Sequence, residues 1–189
     1  MDPGCGIYTK EYFGDERYSL IYTGSHGHSV PIIEGHYQQA GEQYAAKWIQ
    51  IEPDIEGDVL VLDLTKAYAS ENLISFTRSC QFHTHTLRIE DQYSFVSKPV
   101  SIIERFVTFI EPNLQRDGEI MLQAENGIST KLHYDCRELE YRCEKVTFLP
   151  DTIDQAHLYL IDLLVKEPEV KKSVVVDIVI HSNLAEDDV

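Results

Sequence analysis

Runs of alternating and of clustered apolar residues divide this chain into short segments. Leu73 to Thr84 reads as a strand, apolar in character as far as Phe82 and closing on histidines. Asp58 to Leu64 is a second strand, buried by composition, with Val59, Leu60, Val61 and Leu62 in succession. Upstream, Tyr18, Leu20 and Tyr22 share one face of a strand from Glu16 to Tyr22. Val30 to Tyr37 would pair with it as a hairpin across the turn Thr23 to Ser29. Ile7 to Phe13 reads as a short helix ended by Gly14. Gln38 to Ile51 fits two periods: Tyr44, Ala45, Trp48 and Ile51 keep helical spacing, while Lys47 to Ile51 alternates. Pro53 to Gly57 is a turn, and Thr65 to Asn72 a connection with helical character.

The second half continues the mixture. Leu87 to Pro99 is polar and irregular, a loop by pattern. Ser101 to Phe109 has apolar residues at 102, 103, 106, 107 and 110, a helical spacing that Pro112 stops. Glu119 to Ala124 and Ile128 to Tyr134 flank Asn126-Gly127, a strong hairpin signal. Leu139 to Leu149 is another strand. Asp151 or Thr152 would cap a helix with Ile153, Ala156, Leu160, Ile161 and Leu164 on one face and Pro168 past its end. Ser173 to His181 is a final β-branched strand. Strands interleaved with helices predict an α/β fold. A single domain over residues 1–189, a mixed sheet flanked by helices, fits this better than a sandwich or a bundle.

Composition leaves that picture intact. The chain has 189 residues, 43% of them hydrophobic and 25% charged, enough apolar content for a core without disulfides. The longest apolar runs, such as Val174 to Ile180, are strand-sized, and the first residues lack the features of a signal peptide. A cytoplasmic location is the expectation. A formal charge of −16 disfavours nucleic acid and anionic membranes as partners. Cys5, Cys80, Cys136 and Cys143 show neither a disulfide framework nor a zinc-finger spacing.

The candidate chemistry centres on Cys80-Gln81-Phe82-His83-Thr84-His85-Thr86. In a strand, residues i and i+2 point to one face, so His83 and His85 could aim two imidazoles at one metal, zinc first among metals. Glu104, in the first turn of the expected helix, is the candidate third ligand, and Ser101 beside it a candidate oxyanion donor. Glu16 is the candidate general base, with Glu34 as the alternative.

These residues resemble the JAMM (MPN-plus) metalloprotease family. Its pattern is a glutamate opening the first strand, His-x-His after a central strand, then Ser-x-x-Asp opening a helix. Glu16 to Tyr22, Phe82 to Thr86 and Pro99 to Glu104 are similar to these three segments, and the resemblance spans about residues 7–135, with 136–189 left as C-terminal strands and a helix. Glu104 stands where the family has aspartate, Thr86 where it has proline and Ser19 where it has glycine. The resemblance implies an α-β-α layered fold, as in cytidine deaminases. It also implies Zn2+ held by His83, His85 and Glu104, and a zinc-bound water deprotonated by Glu16. The substrates it implies are proteins or peptides, ubiquitin-like modifiers among them, cleaved at peptide or isopeptide bonds. The departures leave room for a catalytically inactive MPN-like binding or assembly module.

Plainer readings stand beside these. Ser101-x-x-Glu104 is also a capping box. Glu16 is also a solvated strand-edge charge, Cys80 a buried strand thiol, and His26-Gly27-His28 a pair of solvent-exposed turn histidines. Phe82 to Thr86 is similar as well to the first motif of PHP phosphoesterases, whose further ligands would have to come from the scattered His133, Asp135, His157 and His181.

Overall fold

The computed structural model describes residues 3–4, 8, 10–52, 57–125, 127–148 and 156–182. Twelve strands account for most of them: β1 Ile32–Ile33, β2 Lys47–Glu52, β3 Asp58–Asp63, β4 Leu73–His83, β5 Thr86–Phe95, β6 Ile102–Thr108, β7 Asn113–Arg116, β8 Glu119–Gln123, β9 Ile128–Tyr134, β10 Leu139–Phe148, β11 Ala156–Val165 and β12 Lys171–Ser182. Among the described residues there is no α-helix, only short 3-10 turns. No helix is therefore long and apolar enough to cross a membrane.

The strands form two antiparallel sheets, one in the order β2-β3-β4-β5-β12-β9-β8-β7 and one in the order β1-β6-β11-β10. Phe76, Tyr93, Phe95, Val174, Val176, Ile120 and Leu132 of the large sheet share a core with Ile102, Phe106, Ile161, Leu163 and Val165 of the small one. The expected α/β domain flanked by helices is thus corrected to a sandwich of two sheets.

The errors have a common physical cause. β6 is buried on both faces: Ile102 and Phe106 enter the core between the sheets, while Val107 joins Leu158, Leu160, Ile21 and Tyr22 on the other side. Apolar residues at 102, 103, 106 and 107 are therefore two faces of one strand, which imitate one face of a helix. β11 is buried on both faces in the same way, and Leu160 and Ile161, expected to share a helix face, point to opposite sides. Periodicity alone does not separate a doubly buried strand from a helix. The proposed cap at Asp151 or Thr152 lies outside the described residues, as do residues 53–56 of the expected turn and Asn126 of the hairpin.

β5 replaces the expected loop. Leu87, Ile89, Asp91, Tyr93 and Phe95 alternate inward. The charge of Asp91 conceals that period in the sequence. Glu16 to Tyr22 forms 3-10 and simple turns instead of a strand, and Val30 to Tyr37 contributes only β1. The strands at 58–64, 73–84, 119–124, 128–134, 139–149 and 173–181 occur close to their expected limits. Of the residues expected to be helical at 7–13, Glu11–Phe13 form a 3-10 turn; residues 7 and 9 lie outside the described residues.

The N-terminal segment covers the outer face of the small sheet. Ile21 and Tyr22 bury Val107, Leu158 and Leu160. Just before β1, residues 26–29 run along β6. Arg105 Nη1 donates to the His26 carbonyl at 2.8 Å, and the Val107 amide donates to Ser29 Oγ at 3.1 Å.

Candidate functional site

Two glycines let the N-terminal segment fold back on itself. A methyl group on Gly24 would strike the Tyr18 carbonyl and the His26 ring. One on Gly27 would strike the Ile21 carbonyl. Gly24 and Gly27 thus allow the 3-10 turn Ser25–Gly27 to lie against the preceding coil. Ser25 Oγ then donates to the Gln38 carbonyl at 3.3 Å, joining this coil to the stretch after β1. That stretch is held from the other side: the Gln39 amide donates to the Ala67 carbonyl at 2.9 Å, and Tyr68 Oη donates to the Pro31 carbonyl at 2.7 Å.

Between the two stretches lies an open-mouthed cavity of about 600 Å3, lined by Tyr18, Thr23, Ser25, His26, His28, Tyr37, Gln38 and Gln39 together with Gly24 and Ala40. No carboxylate is among its described lining residues, in a protein of formal charge −16. The rings of His26 and Tyr37 pack with centroids 5.5 Å apart and planes inclined at 57°. Tyr18 is 54% exposed and Tyr37 40%, so both present ring surface to solvent. The Arg17 guanidinium lies 5.6 Å from the centre of the Tyr18 ring and 4.9 Å from that of Tyr12.

Electrostatics set the protonation of His26. Burial lowers its pKa, and the charges of Arg105 and of His28 lower it further, against a hydrogen bond from the imidazole to the Ser19 backbone carbonyl that raises it. Its imidazole is therefore neutral at pH 7, with one nitrogen able to accept a proton. Arg105 is fixed behind it by Asp162, with Nε to Oδ1 at 2.7 Å and Nη2 to Oδ2 at 2.6 Å.

A second polar cluster lies between the sheets. Arg78 of β4 and Asp91 of β5 are register partners, and Arg78 Nε donates to Asp91 Oδ1 at 2.7 Å. Tyr93 Oη donates to Glu104 Oε1 at 2.6 Å, and Arg78 Nη2 stands 3.5 Å from Glu104 Oε2. Burial raises the pKa of Glu104 well above the ordinary carboxylate range, and the neighbouring Asp91 carboxylate adds to it. Glu104 thus keeps its proton to a higher pH than an ordinary carboxyl does, beside the Arg78–Asp91 ion pair.

The residues singled out for metal hydrolysis do not converge. His83 ends β4, Thr84 and His85 make a two-residue turn, and Thr86 opens β5. The His-x-His motif straddles a hairpin tip, so the same-face argument for a continuous strand fails. His83 contributes to a shallow groove on the outer face of the large sheet with Gln81, Arg88, His133 and Asp177. Glu104 lies between the sheets near Tyr93, whose register partner is Phe76. His83 is seven positions further along β4, about 20 Å away. Ser101 precedes β6, and its carbonyl accepts from the Glu34 amide at 2.9 Å; it caps no helix. Glu34 clasps two other loops: its carboxylate accepts from Asn72 Nδ2 at 3.0 Å and Ser70 Oγ at 3.3 Å in one, and from the Val100 amide at 3.2 Å in the other. Glu16 is exposed, and its carbonyl accepts from the Ser19 amide at 3.0 Å. Among the described residues no group of three or more His, Cys, Asp or Glu side chains could hold a metal ion.

Similarity to solved structures points elsewhere. The chain superposes on the heparan sulfate lyase HepC from Pedobacter heparinus with a TM-score of 0.71 over 96% of its own length, at 12% sequence identity. It superposes on a heparinase III gene product with a TM-score of 0.72 over 95%, at 18% identity. At such identities the likeness establishes the fold. The chain spans 28% of the first protein and 27% of the second, between a quarter and a third of each. No family model matches the chain, and no curated protein matches it in sequence. The JAMM resemblance is overturned by these neighbours and by the all-β sandwich. The peptide or isopeptide hydrolase, and the MPN-like module offered as its inactive form, fall with it.

The cavity has no periodic signature in the sequence. Its usable signal was His26-Gly27-His28, two residues after Gly24, followed by Tyr37-Gln38-Gln39. No spacing rule brings those stretches together; the tie is the Ser25–Gln38 hydrogen bond.

Proposed function

We propose that this chain is a saccharide-binding β-sandwich that takes up a segment of a polysaccharide in the cavity between Tyr18 and Tyr37. The observation that carries this reading is the lining itself. Exposed tyrosine rings, amides, hydroxyls and a neutral imidazole, without a carboxylate, suit a ligand with apolar ring faces and many hydroxyls. Tyr18 and Tyr37 would stack on sugar rings, while Gln38, Gln39 and His26 would exchange hydrogen bonds with hydroxyls. The fold shared with heparan sulfate lyases supports a polysaccharide as the ligand class. The charge of −16 argues for a neutral or sparsely sulfated chain over a densely sulfated one. Calorimetric titration with neutral, uronate-containing and sulfated oligosaccharides tests it. Binding that weakens at least tenfold in Tyr37→Ala, with the fold retained, is the expected result; no saturable binding to any of the three would overturn it.

The His26–Tyr37 contact favours one extension. A neutral imidazole beside a phenol can carry a β-elimination on a uronate chain. His26 would take the C5 proton, the C4–O bond would break, and Tyr37 would protonate the departing oxygen. Ultraviolet absorbance of the unsaturated uronate reads this directly. A rate unchanged in His26→Ala would remove His26 from the chemistry.

A further inference from the structure

Arg17 opens the 3-10 turn Arg17–Ser19, directly before Tyr18 of the cavity wall, and its side chain is exposed. In a protein with 32 acidic and 16 basic residues, an arginine has many carboxylates to choose from. Arg17 nevertheless makes no ion pair and donates no side-chain hydrogen bond among the described residues; its contacts there are with rings. Asp15 and Glu16 precede it in the chain without pairing to it.

Ring faces and backbone hold it in place. The guanidinium lies 4.9 Å from the centre of the Tyr12 ring and 5.6 Å from that of Tyr18. Tyr12 is buried and stacks on Tyr22, with centroids 6.5 Å apart and planes inclined at 20°. Tyr22 in turn packs on Val107, Leu158 and Leu160, so the ring beneath the guanidinium is anchored to the sandwich. The Arg17 amide donates to the Gly14 carbonyl at 3.2 Å, and the Arg17 carbonyl accepts from Thr23 Oγ1, a hydroxyl that also lines the cavity. Contact with ring faces leaves the N–H edges of the guanidinium for another partner. Tyr18 remains more than half exposed with Arg17 in place, so its ring still offers surface to a ligand.

On the saccharide reading of the cavity, on which this rests, we propose that Arg17 is its specificity-determining residue and recognises a carboxylate on the sugar that stacks at Tyr18. The paired N–H donors of a guanidinium match the two oxygens of a carboxylate. A fork already held against two rings loses little freedom on binding. No carboxylate is among the described lining residues of the cavity, so the wall offers no internal competitor. Asp15, Glu16 and the overall charge of −16 oppose further negative charge, which restricts the fit to one acidic group at this position. A neutral sugar meets the same ring faces and leaves Arg17 to water, so the choice between acidic and neutral sugars falls on this side chain.

Calorimetric titration of the full chain with a uronate-containing oligosaccharide and with its carboxyl-reduced counterpart tests this. The two probes share their ring faces and differ in the acid alone. The wild type should bind the acidic probe about tenfold more tightly, and the preference should shrink roughly threefold on raising salt from about 0.05 M to about 0.5 M. Arg17→Gln should abolish the preference and leave the affinity for the reduced probe unchanged. Equal affinities in the wild type overturn the inference, as does a preference that survives Arg17→Gln. Loss of both probes in Arg17→Gln makes the residue a pin for the coil and overturns it too. The salt dependence needs no variant, and a preference indifferent to salt is a further contrary result. Each of these outcomes leaves a wild type that binds saccharide; a wild type that binds neither probe overturns the saccharide reading itself, and this inference with it.

Discussion

Tyr93 of β5 donates a 2.6 Å hydrogen bond to Glu104 of β6, and with it ties the large sheet to the small one. Both residues are buried, and both depend on the Arg78–Asp91 pair beside them. Removing either member of that pair would leave a charge without its partner in the core. Asp91→Ala is therefore expected to destabilise the fold by about 3–5 kcal/mol, the range for breaking a buried ion pair. Equilibrium denaturation in urea measures it. A loss below about 1 kcal/mol would show that the Arg78 charge reaches solvent after all.

Glu104 makes stability depend on pH. Its folded pKa is raised, by burial first and by Asp91 second. The folded state thus holds a proton that the unfolded chain releases near the ordinary pKa of about 4.3. Its contribution is fully present below that value and is lost as pH rises toward the folded pKa. Glu104→Gln keeps an acceptor for Tyr93 and has no proton to lose. The variant's melting temperature is expected to fall less than the wild type's between acidic and mildly alkaline pH. Parallel curves for the two proteins would rule out Glu104 as the source.

Gly27 is fixed by sterics. The group in its way is the Ile21 backbone carbonyl, which cannot swing aside as a side-chain tip can. Gly27→Ala should cost about 1–3 kcal/mol, in the range of overpacking substitutions. It should also shift the His26 ring resonances, because the turn that carries His26 must move. Unshifted resonances would show that the coil absorbs the methyl group without moving the cavity wall.

The sequence disclosed strands where one face is apolar and the other polar. The hairpin at 119–134 and the strand ending in Ser173 to His181 are of that kind, and their limits were close. It misled where the tertiary structure covers a strand twice. β6 and β11 lie under the N-terminal segment as well as over the core, so their doubly apolar pattern mimicked helices. It misled again at Asp91, an inward carboxylate made tolerable by an arginine thirteen residues away on the neighbouring strand. The histidine pair at 83 and 85 depended on the run continuing as a strand, and the chain instead turned between them. The cavity depends on contacts between loops that carry no period at all.

A saccharide held in the cavity would meet the neutral His26 and the Tyr37 ring. The most direct test of that binding is a titration of oligosaccharide into the protein, followed by the proton signals of His26 across pH. The expected results are a free-state midpoint below the ordinary 6.5, saturable shifts of the His26 signals on ligand addition, and binding that weakens as pH falls through that midpoint. His26 signals that ignore every oligosaccharide offered would contradict it.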